Sequence, residues 1–215
     1  MTDEDLALIN SSSRNEKIKN FFINNKKVII LIISFLILLV FSFYFFEIFK
    51  NSKKEQISDK YNSALIKYND GENTEIILAM KEVIKDNDST YSPLALYFLI
   101  DKGLIKEKNE INRLFDIVLN KTSLEEEIKN LVIYKKALYN ADFANENELM
   151  NILDPIIKSK SIWKSHALYL LAEFFYSNSE KQKAKEFFEY IIELENSNQD
   201  IKIEAQKRLN RDLSD

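Results

Sequence analysis

The spacing of apolar residues along the chain divides it in two. From Val28 to Phe46 they are continuous, VIILIISFLILLVFSFYFF, nineteen positions with no charge, Gly or Pro. From Glu55 onward they recur every three or four residues, in segments of roughly 12 to 18 residues separated by polar breaks. The first pattern predicts a helix that is apolar on every side. The second predicts a series of amphipathic helices, each burying one face. Their expected spans are 55–69, 74–86, 91–102, 107–120, 124–141, 146–158, 162–177, 180–195 and 199–211.

The breaks carry their own signals. Gly71 and Gly103 suit the left-handed residue that closes a helix. Asn145 with Glu148, and Ser179 with Gln182, match the paired positions of an N-terminal capping box. Pro155 falls inside a helical pattern, where it removes a donor and clashes with the preceding turn, so a kink or an early stop is expected there.

A repeat underlies these helices. Tyr61, Tyr97, Tyr134 and Tyr169 each open a Tyr-x-x-(Ala/Ile) element, and they are 36, 37 and 35 residues apart. About a dozen residues after each element a second apolar stripe begins. The stripes are Ile76, Met80 and Val83; Ile111, Phe115 and Leu119; Leu149, Leu153 and Ile156; and Ala184, Phe188 and Ile191. The last unit resembles a tetratricopeptide repeat, with Leu168, Leu171, Ala172, Phe175, Ala184, Phe188 and Ile191 in its alternation of large and small residues. Ala172 and Ala184 are expected where two antiparallel helices cross closely. Earlier units are degenerate, since Lys136 and Asn140 stand where apolar residues belong. The fold expected is all-α: one transmembrane helix, then a tetratricopeptide-like α-solenoid of about four helix pairs. A helix near Ile201 to Leu209 caps its end.

The continuous apolar run is long enough to cross a bilayer. At about 1.5 Å per residue, nineteen residues cover nearly the whole hydrocarbon core. Lys26, Lys27 and Lys50 can reach headgroups, and Tyr44 suits the interface. A cleaved signal sequence fits poorly, because no small-x-small pattern follows the run. This gives three parts: a tail at 1–27, an anchor at 28–49 and a repeat domain at 50–215. Before the span lie Arg14, Lys17, Lys19, Lys26 and Lys27; after it lie Lys50, Lys53, Lys54 and Lys60. That slight excess leans toward a cytoplasmic N-terminus. Within the tail, Ser11 to Ser13 is polar. Arg14 to Asn24 reads equally as an amphipathic surface helix or as a polar lead-in to the anchor.

Composition then removes several functional classes. Two Gly in 215 residues leave little for phosphate-cradling loops or nucleophile elbows, and the absence of Cys excludes disulfides and thiolate metal sites. A net charge of −4 without a basic stripe argues against nucleic acid as a partner. The excess of Ile, Lys and Asn has the character of genome composition, so single Lys and Asn residues carry little weight. His166, the only histidine, has no acidic or Cys cluster at ligand spacing and reads as a surface or groove residue. Glu125, Glu126 and Glu127 open a helix, where carboxylates favour the dipole, and Asp154 needs no catalytic role. The chain is expected to be no enzyme, with no cofactor, no metal and no small-molecule substrate.

What remains is protein binding. In a solenoid of this type the first helix of each pair lines the concave face. On that register Leu94, Tyr97, Leu131, Tyr134, Leu138, His166, Tyr169, Glu173 and Tyr176 form a candidate groove. Tyrosine offers a broad apolar ring with a polar tip and little rotamer entropy to lose. The alternative is that these tyrosines pack between units. Trp163 is expected to anchor one unit to the next.

The order of parts resembles the YfgM-like family of ancillary SecYEG translocon subunits. The resemblance rests on Lys19, Phe21 and Phe22 before one anchor, about four degenerate repeats after it, and two local runs. These are Ser89-Thr90-Tyr91-Ser92 and Leu153-Asp154-Pro155-Ile156-Ile157-Lys158, the latter with Trp163 downstream. It spans roughly residues 16 to 210, and its specificity lies in order and spacing. It implies a bacterial inner-membrane protein with a cytoplasmic N-terminus and a periplasmic repeat domain. The partners implied are the SecYEG translocon, periplasmic chaperones and exported client proteins. The longer tail and the Lys- and Phe-rich composition depart from the family. A scaffold for another envelope complex, in division or outer-membrane assembly, is the competing expectation.

Overall fold

A computed structural model of the chain describes residues 19–21, 23–68 and 74–213. The expectations for the tail before residue 19, for Phe22 and for Gly71 lie outside these residues. The described chain is all-helical, with no strand among the described residues. Its helices are α1 (Lys26–Lys67), α2 (Thr74–Lys85), α3 (Tyr91–Asp101), α4 (Lys108–Lys121), α5 (Glu126–Asn140), α6 (Glu146–Ile157), α7 (Lys164–Ser177), α8 (Lys181–Glu193) and α9 (Gln199–Asp212).

Helix ends follow from local chemistry. Gly103, at φ 60°, closes α3: its N–H donates to the Ile100 carbonyl and that of Leu104 to the Leu99 carbonyl. These two bonds satisfy carbonyls that the helix leaves open. At α6 the Asn145 side chain accepts from the Glu148 N–H at 3.0 Å, and the Asn145 N–H donates back to the Glu148 carboxylate at 3.1 Å. Asn198 caps α9 by accepting from the N–H groups of Asp200 and Ile201. Pro155 lies inside α6, which stops two residues later at Ile157.

Two expectations are corrected. Ser179 does not cap α8; it sits at φ 64° and closes α7 in the manner of Gly103, with its own N–H on the Tyr176 carbonyl and that of Glu180 on the Phe175 carbonyl. Glu180 is the residue before α8, and its side chain caps nothing. The helix expected from residue 55 is not separate either. It is the end of α1, because no Gly or Pro interrupts Glu47 to Lys67 and Lys, Glu and Gln propagate a helix well.

By contacts the chain divides into Met1–Glu55 and Gln56–Asp215. In the first unit, α1 exposes its large apolar side chains on all sides, and none of its most apolar stretch, mean hydropathy 3.0, is buried. It is long and apolar enough to cross a membrane.

In the second unit, successive helices from α2 onward pack as neighbours. The closest backbone pairings are α2 with α3, α5 with α6, α7 with α8, and α8 with α9. Ala172 and Ala184 are fully buried in the α7–α8 pair, where small side chains admit close approach. Ser92 joins α3 to α2 by donating its hydroxyl to the Val83 carbonyl at 3.0 Å. Buried residues form two apolar cores. One runs from Ile57 through Met80, Leu96 and Phe115 to Val132; the other runs from Ile133 through Leu153, Leu171 and Phe188 to Leu213. They meet along α5, and the seam between α4 and α5 carries polar pairs beside the apolar contact of Phe115 with Tyr139. Asn112 and Asn140 exchange side-chain hydrogen bonds at 3.0 and 2.8 Å, and Lys136 pairs with Asp116 at 2.6 Å. The two polar positions that break the repeat therefore face polar partners one helix away.

Candidate functional site

Side-chain bonds tie α3 to α1, the turn before α7 to α5, and the start of α9 to α7, each between residues 33 or 34 positions apart. Tyr91 donates its hydroxyl to Ser58 Oγ at 2.7 Å, Ser161 to Glu127 Oε2 at 2.7 Å, and the Asn198 N–H reaches Ser165 Oγ at 3.2 Å. Between α3 and α5 the surface opens into a cleft of 360 Å³. Pro93, Leu94 and Tyr97 form one wall, Ile128 and Leu131 the other, and Ser89, Thr90 and Glu125 give it a polar end.

The nine residues assigned to the groove separate into distinct settings. Leu94, Tyr97 and Leu131 come together in the cleft. The Tyr97 hydroxyl is buried without a partner, and the Lys135 ammonium lies 5.1 Å from the ring centre. Burial alone pushes that phenol well above the usual tyrosine range.

Tyr134 and His166 belong instead to an aromatic cluster around Trp163. Tyr134 stacks on Trp163 at 5.9 Å with the planes 20° apart, and the His166 ring lies 5.1 Å from Trp163. Trp163 thus ties the start of α7 to α5. Burial lowers the His166 pKa, and a backbone hydrogen bond with Ile162 works the other way. Leu138, further along α5, is exposed and outside both groups.

Tyr169, Glu173 and Tyr176 are engaged by α9. Arg208 grips both Glu173 oxygens, through Nε and Nη2 at 2.7 Å each, and its guanidinium lies 4.3 Å from the Tyr176 ring centre. Tyr169 rests edge-on against Phe188 at 5.5 Å. Its phenol is pushed up to about 12, chiefly by burial and then by its hydrogen bond to Glu173. At this end of the row the side chains make contacts within the fold.

Sequence reasoning missed Ile128, Pro93 and the polar end of the cleft. A signal was present: Ile128 stands three residues, about one helical turn, before Leu131 and so on the same face of α5. Among the described residues no group of three His, Cys, Asp or Glu side chains could hold a metal ion. The chemistry available in the cleft is apolar contact, hydroxyl hydrogen bonding and one carboxylate.

Comparison with family profiles, curated proteins and solved structures finds no match. Its own geometry makes the described chain all-helical, with one helix among the described residues able to cross a membrane and a compact unit of packed helices from Gln56 on.

Proposed function

We propose that this protein is a membrane-anchored adaptor or chaperone-like accessory that binds other proteins through its helical unit. On this reading Val28 to Phe46 spans a membrane, since a helix apolar on every side is covered by lipid rather than by a protein core. The packed helices form a tetratricopeptide-like solenoid of about four pairs with α9 as its cap. The near-constant period, the bonds that join neighbouring first helices and the small residues of the α7–α8 pair support that arrangement.

The resemblance to the YfgM-like family supplies the setting: a bacterial inner membrane, a cytoplasmic N-terminus and a periplasmic repeat domain. Its partners there are the SecYEG translocon, periplasmic chaperones or exported chains. The observation that carries a binding role is the α3–α5 cleft, an apolar opening on a face that Arg208 seals at α7. A binding protein needs no cofactor, and among the described residues no assembled acid, base or nucleophile argues for an enzyme.

A photo-crosslinking residue at Ile128 in intact membranes tests this. Adducts with translocon subunits or with chains in export are expected. Adducts confined to division or outer-membrane assembly proteins would transfer the same fold to a scaffold of those machines. A reporter fused after Asp215 and active only in the cytosol would remove the export role.

A further inference from the structure

α4 and α6 both pack against α5 but do not pair closely with each other, whereas α2 and α4 do. Between them lies a second cleft, of 360 Å³. Leu119 of α4, Ile133 of α5, and Ile152 and Pro155 of α6 supply its apolar lining. Leu119 packs against both apolar cores, so the cleft lies where they meet. At 3.6 residues per turn, its α5 residues Lys129, Ile133 and Lys136 stand roughly 100° around the helix from Glu125, Ile128 and Leu131. The two clefts therefore open on different faces of α5.

The polar groups here are unevenly matched. Asp116 is met by Lys136 at 2.6 Å, and Asp154, beside Pro155, is met by Lys158 at 2.9 Å. Lys129 is exposed, and among the described residues nothing pairs with its ammonium. The side-chain amides of Asn120 and Asn151 are exposed too, and are likewise without a partner among the described residues. Pro155 has no N–H, so the Asn151 carbonyl one turn back lacks its usual helical donor.

The surplus is one positive charge beside an apolar floor, together with amides that both donate and accept. A carboxylate complements the charge, an apolar side chain the floor, and a peptide backbone the amides. A fatty acid or an anionic lipid would satisfy the first two and leave the amides unused. A basic segment would be repelled by Lys129.

We propose that the cleft between α4 and α6 is a second docking site, and that it takes an acidic polypeptide segment in which an apolar side chain stands beside an Asp or Glu. This extends the adaptor reading to a second partner and does not depend on what the α3–α5 cleft binds.

The test uses the full chain in nanodiscs of zwitterionic lipid and short fluorescent peptides, read by anisotropy. The first peptide carries a leucine between two glutamates in a Gly/Ser background. A second replaces both glutamates by lysine, and a third replaces the leucine by serine. The first is expected to bind at least about ten times more tightly than either of the others. Lys129→Glu, on an exposed position, should reverse the preference between glutamate and lysine. Ile152→Asp should abolish binding of the first peptide, and Leu94→Asp with Ile128→Asp should leave it unchanged, with helix content by circular dichroism confirming that each variant is folded. No binding, equal binding of the acidic and basic peptides, or a charge preference unmoved by Lys129→Glu would overturn the proposal. So would displacement of the first peptide by vesicles of anionic lipid, lost in Lys129→Glu, which would assign the cleft to lipid. Peptide binding without crosslinks from Ile128 would sink the export role and leave this site standing. Crosslinks from Ile128 without peptide binding would do the opposite.

Discussion

Ser179 holds a backbone conformation that costs most side chains about 1–2 kcal/mol, at φ 64° in the turn after α7. Gly103 makes the same closing bonds after α3 without that cost. Ser179→Gly is therefore expected to stabilise the protein by roughly 0.5–1 kcal/mol after allowing for glycine's greater freedom when unfolded. That corresponds to a rise of a few degrees in thermal midpoint for a unit of this size. Thermal unfolding of the full chain in detergent measures it, and a lower midpoint would contradict the shared turn geometry. The letters around Ser179 hid this role, because serine before a polar helix start also signals a cap. The capping box at Asn145 and Glu148 was legible because both halves of the reciprocal pair are written in the sequence and nothing distant competes.

His166 offers a second test at this scale. Its folded pKa lies below the ordinary imidazole value of 6.5, so the fold favours the neutral ring. The sign follows directly. The stability it contributes is complete above about pH 6.5 and is lost as pH falls through the lowered folded value. The chain has one Trp and one His, and their rings lie 5.1 Å apart. Trp163 fluorescence is expected to change with a midpoint below pH 6.5, and His166→Phe should remove that change. A midpoint above 6.5 would show that the ring is stabilised as a cation.

At the scale of elements, the α4–α5 seam sets two polar pairs among the apolar contacts of the two cores. Asn140 is nearly buried and bonded to Asn112 in both directions. Asn140→Leu leaves the half-buried Asn112 amide with only its bond to the Lys108 carbonyl and is expected to cost about 1–2 kcal/mol. Adding Asn112→Leu removes that amide, so the double variant should recover most of that loss. A thermodynamic cycle on the four proteins reads the coupling; strictly additive losses would mean that the pair contributes no mutual interaction. Here the periodic pattern was legible and its exceptions were not. Lys136 and Asn140 look like decay of a repeat until Asp116 and Asn112 are seen beside them, and those partners lie 20 and 28 residues back. The groove was legible in part for the same reason. Leu94, Tyr97 and Leu131 follow from the period, whereas the sealing of Glu173 and Tyr176 depends on Arg208, 35 residues beyond Glu173.

For the whole molecule, the decisive question is whether α1 resides in lipid, and the energies set how it must be asked. Every position from Val28 to Phe46 except Ser34, Ser42 and Tyr44 is Val, Ile, Leu or Phe. At about −0.3 to −0.6 kcal/mol each near the centre of a bilayer, their sum is on the order of −5 to −10 kcal/mol. One aspartate at the centre costs about 3 kcal/mol and cannot outweigh that total. Leu36→Asp alone should therefore remain in membranes through alkaline extraction. Ile33, Leu36 and Leu39 lie three residues apart, and converting all three to Asp adds about 9 kcal/mol while removing three favourable terms. The triple variant is expected in the soluble fraction or to be degraded. Release of the single variant would mean that α1 is held by something weaker than a bilayer. Retention of the triple variant would mean that the helical unit carries its own membrane attachment. Either result would move the anchor away from the apolar run and weaken the membrane setting proposed for the cleft, while leaving the cleft's geometry as it is.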